Sequence, residues 1–284
     1  MAVESPFVRN CIKFSANKPA VAGVILLLIV IFVGIFAPFL APYPEDAGLV
    51  VRFKEKLLPP SLDHLLGTDG VGRDVLSRVM FGIRISLSLA AIVLGISIPI
   101  GVTLGLCAAY YGGWVEQVIM RLTDVFSAIP PLVFALIVSA VLRPSLQNSI
   151  IAISFVWWRS FCRLAYGEAL SVKQENYVMV SRSLGASDIH MMFREILPNM
   201  LSPIIVKATL DAGYAILVGT TISFLGIGAS PPTPELGIIV ANGRDYMPKY
   251  WWPSACGGLV IFIIVLSFNL VGDGLRDFFG VEER

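Results

Sequence analysis

Charge is the first thing this sequence is short of. Only 14% of its 284 residues are Asp, Glu, Lys or Arg, against 56% hydrophobic, and mean hydropathy is +0.79. A soluble domain carries about a quarter charged residues. So little polar surface cannot cover a globule in water, which excludes a soluble enzyme and leaves lipid as the solvent. The net charge of +1 offers no basic footprint for nucleic acid. Histidine is down to two, His64 and His190, with no partners at metal-ligand spacing. The cysteines Cys11, Cys107, Cys162 and Cys256 lie far apart with no Cys-x-x-Cys pair. They read as small buried hydrophobes, so neither a metal site nor a disulfide framework is expected. A Gly-x-x-x-x-Gly-Lys-Ser/Thr phosphate loop is missing too, so the chain itself is not expected to be an enzyme. The Gly-rich string Gly67 to Asp74 is followed by no such lysine and preceded by no strand. It reads as a turn into a surface helix that Asp74 starts, with Val75, Val79 and Phe81 as its apolar side.

Long apolar runs are what the sequence does have. Ala20–Leu40 is uncharged for 21 residues, about 31 Å as a helix and close to the hydrocarbon thickness. Arg9, Lys13 and Lys18 precede it. The run is too long for a cleaved signal peptide, and Phe36-Ala37-Pro38 is a poor cleavage site. Further runs are Ile85–Tyr111, with Gly101 and Gly105 at the spacing that lets helices approach, and Val125–Leu142, with Pro130-Pro131 near its start. A fourth starts at Ser145 and continues past Arg159 and Arg163. Ser202–Leu225 holds Lys207 and Asp211, and Trp251–Gly272 opens on an aromatic pair suited to a membrane interface. The runs predict an all-α polytopic membrane protein with six transmembrane helices. With the N-terminus inside, twelve of the 21 Lys and Arg residues fall on the cytoplasmic side and nine outside, which agrees with positive-inside. The chain divides into residues 1–41 (tail and first helix), 42–84 (an extracytoplasmic loop with a short amphipathic helix) and 85–284 (five spans). The polar stretch Gly226–Tyr250, with Pro231, Pro232 and Pro234, reads as an extended loop.

Between the fourth and fifth spans, about residues 168–199, lies the most patterned polar stretch. Tyr177, Val180, Ser181 and Leu184 share one helical face, and Gly185 breaks it. Ser187 can cap a second helix, with Asp188 suited to its positive end. Ile189, Met192, Phe193, Ile196 and Leu197 then repeat at helical spacing until Pro198 stops them. Such a segment either floats on the lipid interface or docks into a partner's groove, and periodicity does not choose. Lys207 and Asp211 lie four apart, so they can pair. They read either as part of a translocation path or as a snorkelling lysine with a structural partner. Arg159 and Arg163 also share a face, read as an interfacial anchor behind Trp157-Trp158.

Several strings in order resemble one family, the C-type permease subunit of dipeptide/oligopeptide/nickel ABC importers. They are His64-Leu65-Leu66-Gly67-Thr68-Asp69 through Gly72-Arg73-Asp74-Val75, and Ser77-Arg78; Arg121 and Asp124 ahead of Pro130; and Ser183-Leu184-Gly185-Ala186-Ser187 to Ile196-Leu197-Pro198-Asn199. Ser223-Phe224-Leu225-Gly226 and Phe268-Asn269-Leu270-Val271-Gly272-Asp273-Gly274 complete the set. The resemblance implies a type I ABC importer transmembrane domain in the inner membrane, with both termini cytoplasmic. It makes the 168–199 stretch the coupling loop that docks on the ATPase, through Arg182, Gly185, Ala186, Ile189, Met192, Phe193, Leu197 and Pro198. The chain departs from the family pattern at Val178-Met179-Val180, at Glu195 and at Val218-Gly219-Thr220. The implied partners are a B-type permease in a heterodimer, two ATPase subunits that hold the ATP and magnesium, an extracytoplasmic substrate-binding protein and membrane lipid. No cofactor is expected in this chain, and the implied cargo is dipeptides or oligopeptides. Nickel, metal chelates or glutathione are the alternative cargo. A secondary transporter using Lys207 and Asp211 as an ion relay would show inverted repeats, and none is visible. A membrane-embedded enzyme would need a cluster of His, Ser or acidic residues within the spans.

Overall fold

The computed structural model describes residues 14–280. Arg9, Cys11, Lys13 and Arg284 lie outside them. The helices are α1 (Lys18–Leu40), α2 (Val75–Tyr111), α3 (Gly113–Ser127), α4 (Pro131–Leu142), α5 (Leu146–Val172), α6 (Asn176–Ser183), α7 (Asp188–His190), α8 (Leu201–Phe224), α9 (Leu236–Arg244) and α10 (Trp252–Phe279). Between α7 and α8 the chain stays helical, as a π turn over Met191–Ile196 and a 3₁₀ turn over Leu197–Met200. Among the described residues, four helical stretches are long and apolar enough to cross a membrane, and the α3–α4 pair, bent by 85°, makes a fifth. At 27 residues α5 has the length, but Arg159, Arg163 and Glu168 dilute its hydropathy. The expected single span Val125–Leu142 is corrected to this bent pair, because Pro130 supplies no N–H to continue α3.

Small residues set how close these helices come. A Cβ on Gly101 would lie 2.3 Å from the Trp158 carbonyl oxygen, and one on Gly105 the same distance from that of Cys162. The α2 and α5 backbones therefore touch, which only glycine permits. Gly23 does the same for α1 against Leu270 of α10, at 2.5 Å. Asn17 caps α1 by accepting the Ala20 N–H and donates to Asp277 at 3.0 Å, fastening the start of α1 to the end of α10. One apolar core gathers Leu89, Val93, Ile153, Phe161, Met191 and Ile196; a second gathers Val30, Val79, Ile83, Ile216 and Ile264. Outside them α1 leaves Leu28, Phe32, Ile35 and Phe39 exposed, as a lipid-facing helix does.

The segment ahead of the second span is not a separate surface helix. Asp74 does start it, accepting the Ser77 N–H at 2.7 Å, but α2 runs on unbroken, and Val75, Arg78 and Val79 are buried. They are covered by the loop 42–74. Its fully buried Asp46 accepts from Arg52 Nη1 on both carboxylate oxygens (2.6 and 2.7 Å) and from the Asp74 N–H (2.7 Å). Arg78 donates to the Asp46 carbonyl at 2.9 Å and to that of Pro232 at 3.3 Å. Trp252 is buried and donates its indole N–H to Thr68 at 3.1 Å, so of the expected interfacial pair only Trp251 stays exposed.

The stretch read as an extended loop contains α9, whose Leu236, Ile238 and Ile239 enter the core. Glu235 caps it, accepting the Ile238 N–H at 3.2 Å, and is 1% exposed. Its other carboxylate oxygen has no hydrogen-bond partner. Burial pushes this acid up to about 7, against hydrogen bonds from Ser223, Ile238 and Gly237 that favour the anion.

Candidate functional sites in the helical hairpin and the intramembrane cavity

The hairpin of α6 and α7 is built as its sequence pattern implies at the turn. Gly185 takes φ +85°, the left-handed conformation that glycine adopts without steric penalty, and the Ala186 N–H returns to the Ser181 carbonyl at 3.2 Å. Ser187 caps α7 through the His190 N–H at 3.4 Å. Asp188 accepts the Tyr110 hydroxyl at 2.6 Å, tying the hairpin to the end of α2. Ser181 donates to Glu195 at 3.3 Å, linking the two arms. Lys173 caps α2 by donating to the Ala109 and Tyr110 carbonyls at 3.0 and 2.8 Å. Burial, aided by Glu175 and Glu195, pushes the Tyr177 phenol up.

Beyond the turn two expectations fail together. Pro198 does not end the second arm: the chain passes it and continues into α8. The π winding makes this feasible, because Leu197 donates to Met192, five residues back, rather than four. The Asn199 side chain donates to the Glu195 carbonyl at 2.7 Å. The wider turn also rotates the faces, so a 3.6-residue period misassigns them. Met192 is buried, with Met191 and Ile196, in the protein's own core, and so is not an outward docking residue. Ile189 (70% exposed) and Phe193 (44%) do point out. Of the other anticipated contacts, Arg182 and Pro198 are exposed, while Ala186 and Leu197 pack half-buried against the core. Leu184 (83% exposed), Val180 and Met179 complete the uncovered apolar set. Leu184 was visible as a large apolar residue directly before a helix-breaking glycine.

The second site lies within the bundle, between α4, α5 and α8. A cavity of about 110 Å³ is lined by Pro131, Val156, Trp157, Arg159, Ser160, Lys207, Asp211 and Tyr214. Lys207 and Asp211 pair at 3.1 Å, and Asp211 also accepts the Trp157 indole N–H at 3.1 Å. The Lys207 ammonium stands 5.5 Å from the centre of the Phe161 ring, a cation–π distance. Arg159 is not an interfacial anchor: it is buried in the cavity wall, while Arg163, on the exposed side, pairs with Asp124. The two arginines are four apart, yet only the first turns inward, because Phe126 of α3 offers it a carbonyl.

Residues 97–280 match the family described as binding-protein-dependent transport system inner membrane component, and residues 5–60 match the N-terminal TM domain of oligopeptide transport permease C. The chain is 41% identical to the dipeptide transport system permease protein DppC of Haemophilus influenzae, over 97% of this chain and 95% of that one. It is 43% identical to the protein of the same name from Escherichia coli, over 93% and 89%. With the di/tripeptide transport system permease protein DppC of Pseudomonas aeruginosa the figures are 40%, 96% and 91%. Among solved structures, the inward-facing MetNI methionine ABC transporter superposes with a TM-score of 0.58 at 17% identity, over 73% of this chain and 98% of that one. An amino acid ABC transporter superposes with a TM-score of 0.53 at 16% identity, over 70% and 92%. At these identities the structural likeness speaks for the fold.

Proposed function

Because this chain belongs to the binding-protein-dependent transport system inner membrane components, we propose that it is the permease subunit of an ATP-driven importer of dipeptides and oligopeptides. The relatives' names supply the cargo class. The observation that carries the mechanism is the α6–α7 hairpin, which leaves Leu184, Ile189 and Phe193 uncovered by the protein's own core. A polar-flanked apolar patch of this kind is what a partner groove takes up.

In this reading α1, α2, the bent α3–α4 pair, α5, α8 and α10 are the six crossings, and both termini lie in the cytoplasm with the hairpin. An ATPase subunit docks on the hairpin, and its ATP-driven closure moves α8 through α7. A second, B-type permease supplies the other half of the path, with its own ATPase. An extracytoplasmic binding protein delivers peptide to the face that carries the 42–74 loop. ATP and magnesium are held by the ATPases. Lys207 and Asp211 line this subunit's half of the path, where a paired charge faces a cavity rather than lipid.

The test is reconstitution of the chain with those partners in proteoliposomes and measurement of labelled dipeptide uptake. ATP-dependent accumulation that requires this subunit is expected. Uptake of nickel or a nickel chelate without any of dipeptide would refute the cargo assignment.

A further inference from the structure

Arg159 has more hydrogen-bond donors than the protein uses. It stands midway along α5 and is 9% exposed. Its Nε donates to the Val156 carbonyl at 3.2 Å and its Nη1 to the Phe126 carbonyl at 3.4 Å. A guanidinium carries five N–H donors in a planar fork, so most of the fork is left over. Among the described residues no carboxylate pairs with it: Asp124 is engaged by Arg163, and Asp211 by Lys207. Nor is it sealed away. The buried, partnerless side-chain atoms of the described residues belong to Ser86, Ser139 and Glu235, and none to Arg159. Arg159 is itself one of the residues that line the cavity, with Trp157, Ser160, Lys207, Asp211 and Tyr214.

The charges there do not cancel. Lys207 neutralises Asp211, and Arg159 remains as a surplus cation in a site largely removed from water. Burying such a charge without a partner is costly. A planar fork with free donors is the group best matched to a carboxylate, which it can hold with two parallel hydrogen bonds. Near neutral pH a free peptide is a zwitterion, with an ionised carboxyl terminus and a largely protonated amino terminus. The cavity's one surplus charge matches the carboxylate end.

We propose that Arg159 binds the free carboxyl terminus of a peptide in transit. The inference rests on the peptide-import reading above. At about 110 Å³ the cavity is below the roughly 300 Å³ of a typical small-ligand pocket. It is one wall of the site, and the second permease subunit supplies the other.

The test uses the complete permease–ATPase complex, solubilised without its binding protein so that the latter's own preference does not enter. Affinity is measured for L-alanyl-L-phenylalanine and for its C-terminal amide, on the parent complex, Arg159→Lys and Arg159→Gln. The parent should prefer the free acid. Arg159→Gln should weaken acid binding about ten-fold or more, the scale of a hydrogen bond to a charged group, and leave the amide unchanged. Arg159→Lys keeps the charge but not the fork, so the preference for acid should shrink several-fold; this variant decides the matter if Arg159→Gln does not assemble. A parent that fails to prefer the acid, or variants that weaken acid and amide equally, would overturn the inference and make Arg159 a helix-packing residue. Parent proteoliposomes with no ATP-dependent dipeptide uptake would instead count against the transport function itself.

Discussion

Replacing Leu184 and Ile189 together by serine separates docking from folding. The two side chains are 83% and 70% exposed, so the protein's own fold gains almost nothing from them. Fully burying one such side chain in a partner is worth roughly 1.5–3 kcal/mol, and the pair about 3–6 kcal/mol. At about 1.4 kcal/mol per decade, the ATPases should dissociate two to four orders of magnitude more readily. The thermal midpoint of the isolated permease should not move. Met192→Ser is the contrast: it empties a core position and should lower stability by about 2–5 kcal/mol, as large-to-small core substitutions do. A tagged permease co-purified with its ATPases, followed by a melting curve of the permease alone, reads both effects. If Leu184→Ser with Ile189→Ser keeps its ATPases and its uptake, the hairpin is a lipid-surface element and the docking argument is wrong.

Two further outcomes follow from packing and from burial. Gly101→Val should force α2 and α5 apart, since even a Cβ would sit 2.3 Å from the Trp158 oxygen, whereas Gly95→Ala, with nothing within 4 Å, should be neutral; melting temperatures of the two variants check this. Glu235 is held up at about 7 by burial, so the folded state keeps its proton over a range in which the unfolded chain, near 4.5, has released it. Stability should therefore fall as pH rises from about 4.5 through 7 and then level off. Glu235→Gln should flatten that profile, and an unchanged pH dependence in this variant would remove Glu235 as its source.

Most of the membrane-crossing architecture was legible because it rests on run length and small-residue spacing, both local properties. Gly101 and Gly105 announced a close helix contact, and the structure supplies α5 as the neighbour. The turn at Gly185 and the cap at Ser187 were readable for the same reason. What was not legible depended on winding or on distant neighbours. The faces of Met192 and Phe193 were assigned with a period of 3.6, which the π turn over Met191–Ile196 does not follow. Arg159 looked interfacial because its carbonyl acceptor comes from α3, 33 residues away in sequence. The helix α9 hid behind Pro231, Pro232 and Pro234, although Glu235 ahead of Leu236-Gly237-Ile238-Ile239 is an acceptable cap and apolar start.

The helical stretch Asp188–Phe224 runs for 37 residues, about 55 Å at roughly 1.5 Å per residue, passing through a π turn and a 3₁₀ turn on the way. In the proposed coupling to an ATPase it would serve as a push-rod. One end carries Ile189 on the surface; Lys207, Asp211 and Tyr214 form part of a chamber wall roughly 30 Å further along. In the coupling proposed above, a thrust on the outer end would arrive at the chamber as a shift or a twist of those three side chains. The loosely wound turn over Met191–Ile196 sits between the two ends. Tightening it by one residue to α winding would turn the far portion by about 100° relative to the near one. The same segment that carries the chain past Pro198 thus also sets the angular phase at which charge is presented to the chamber.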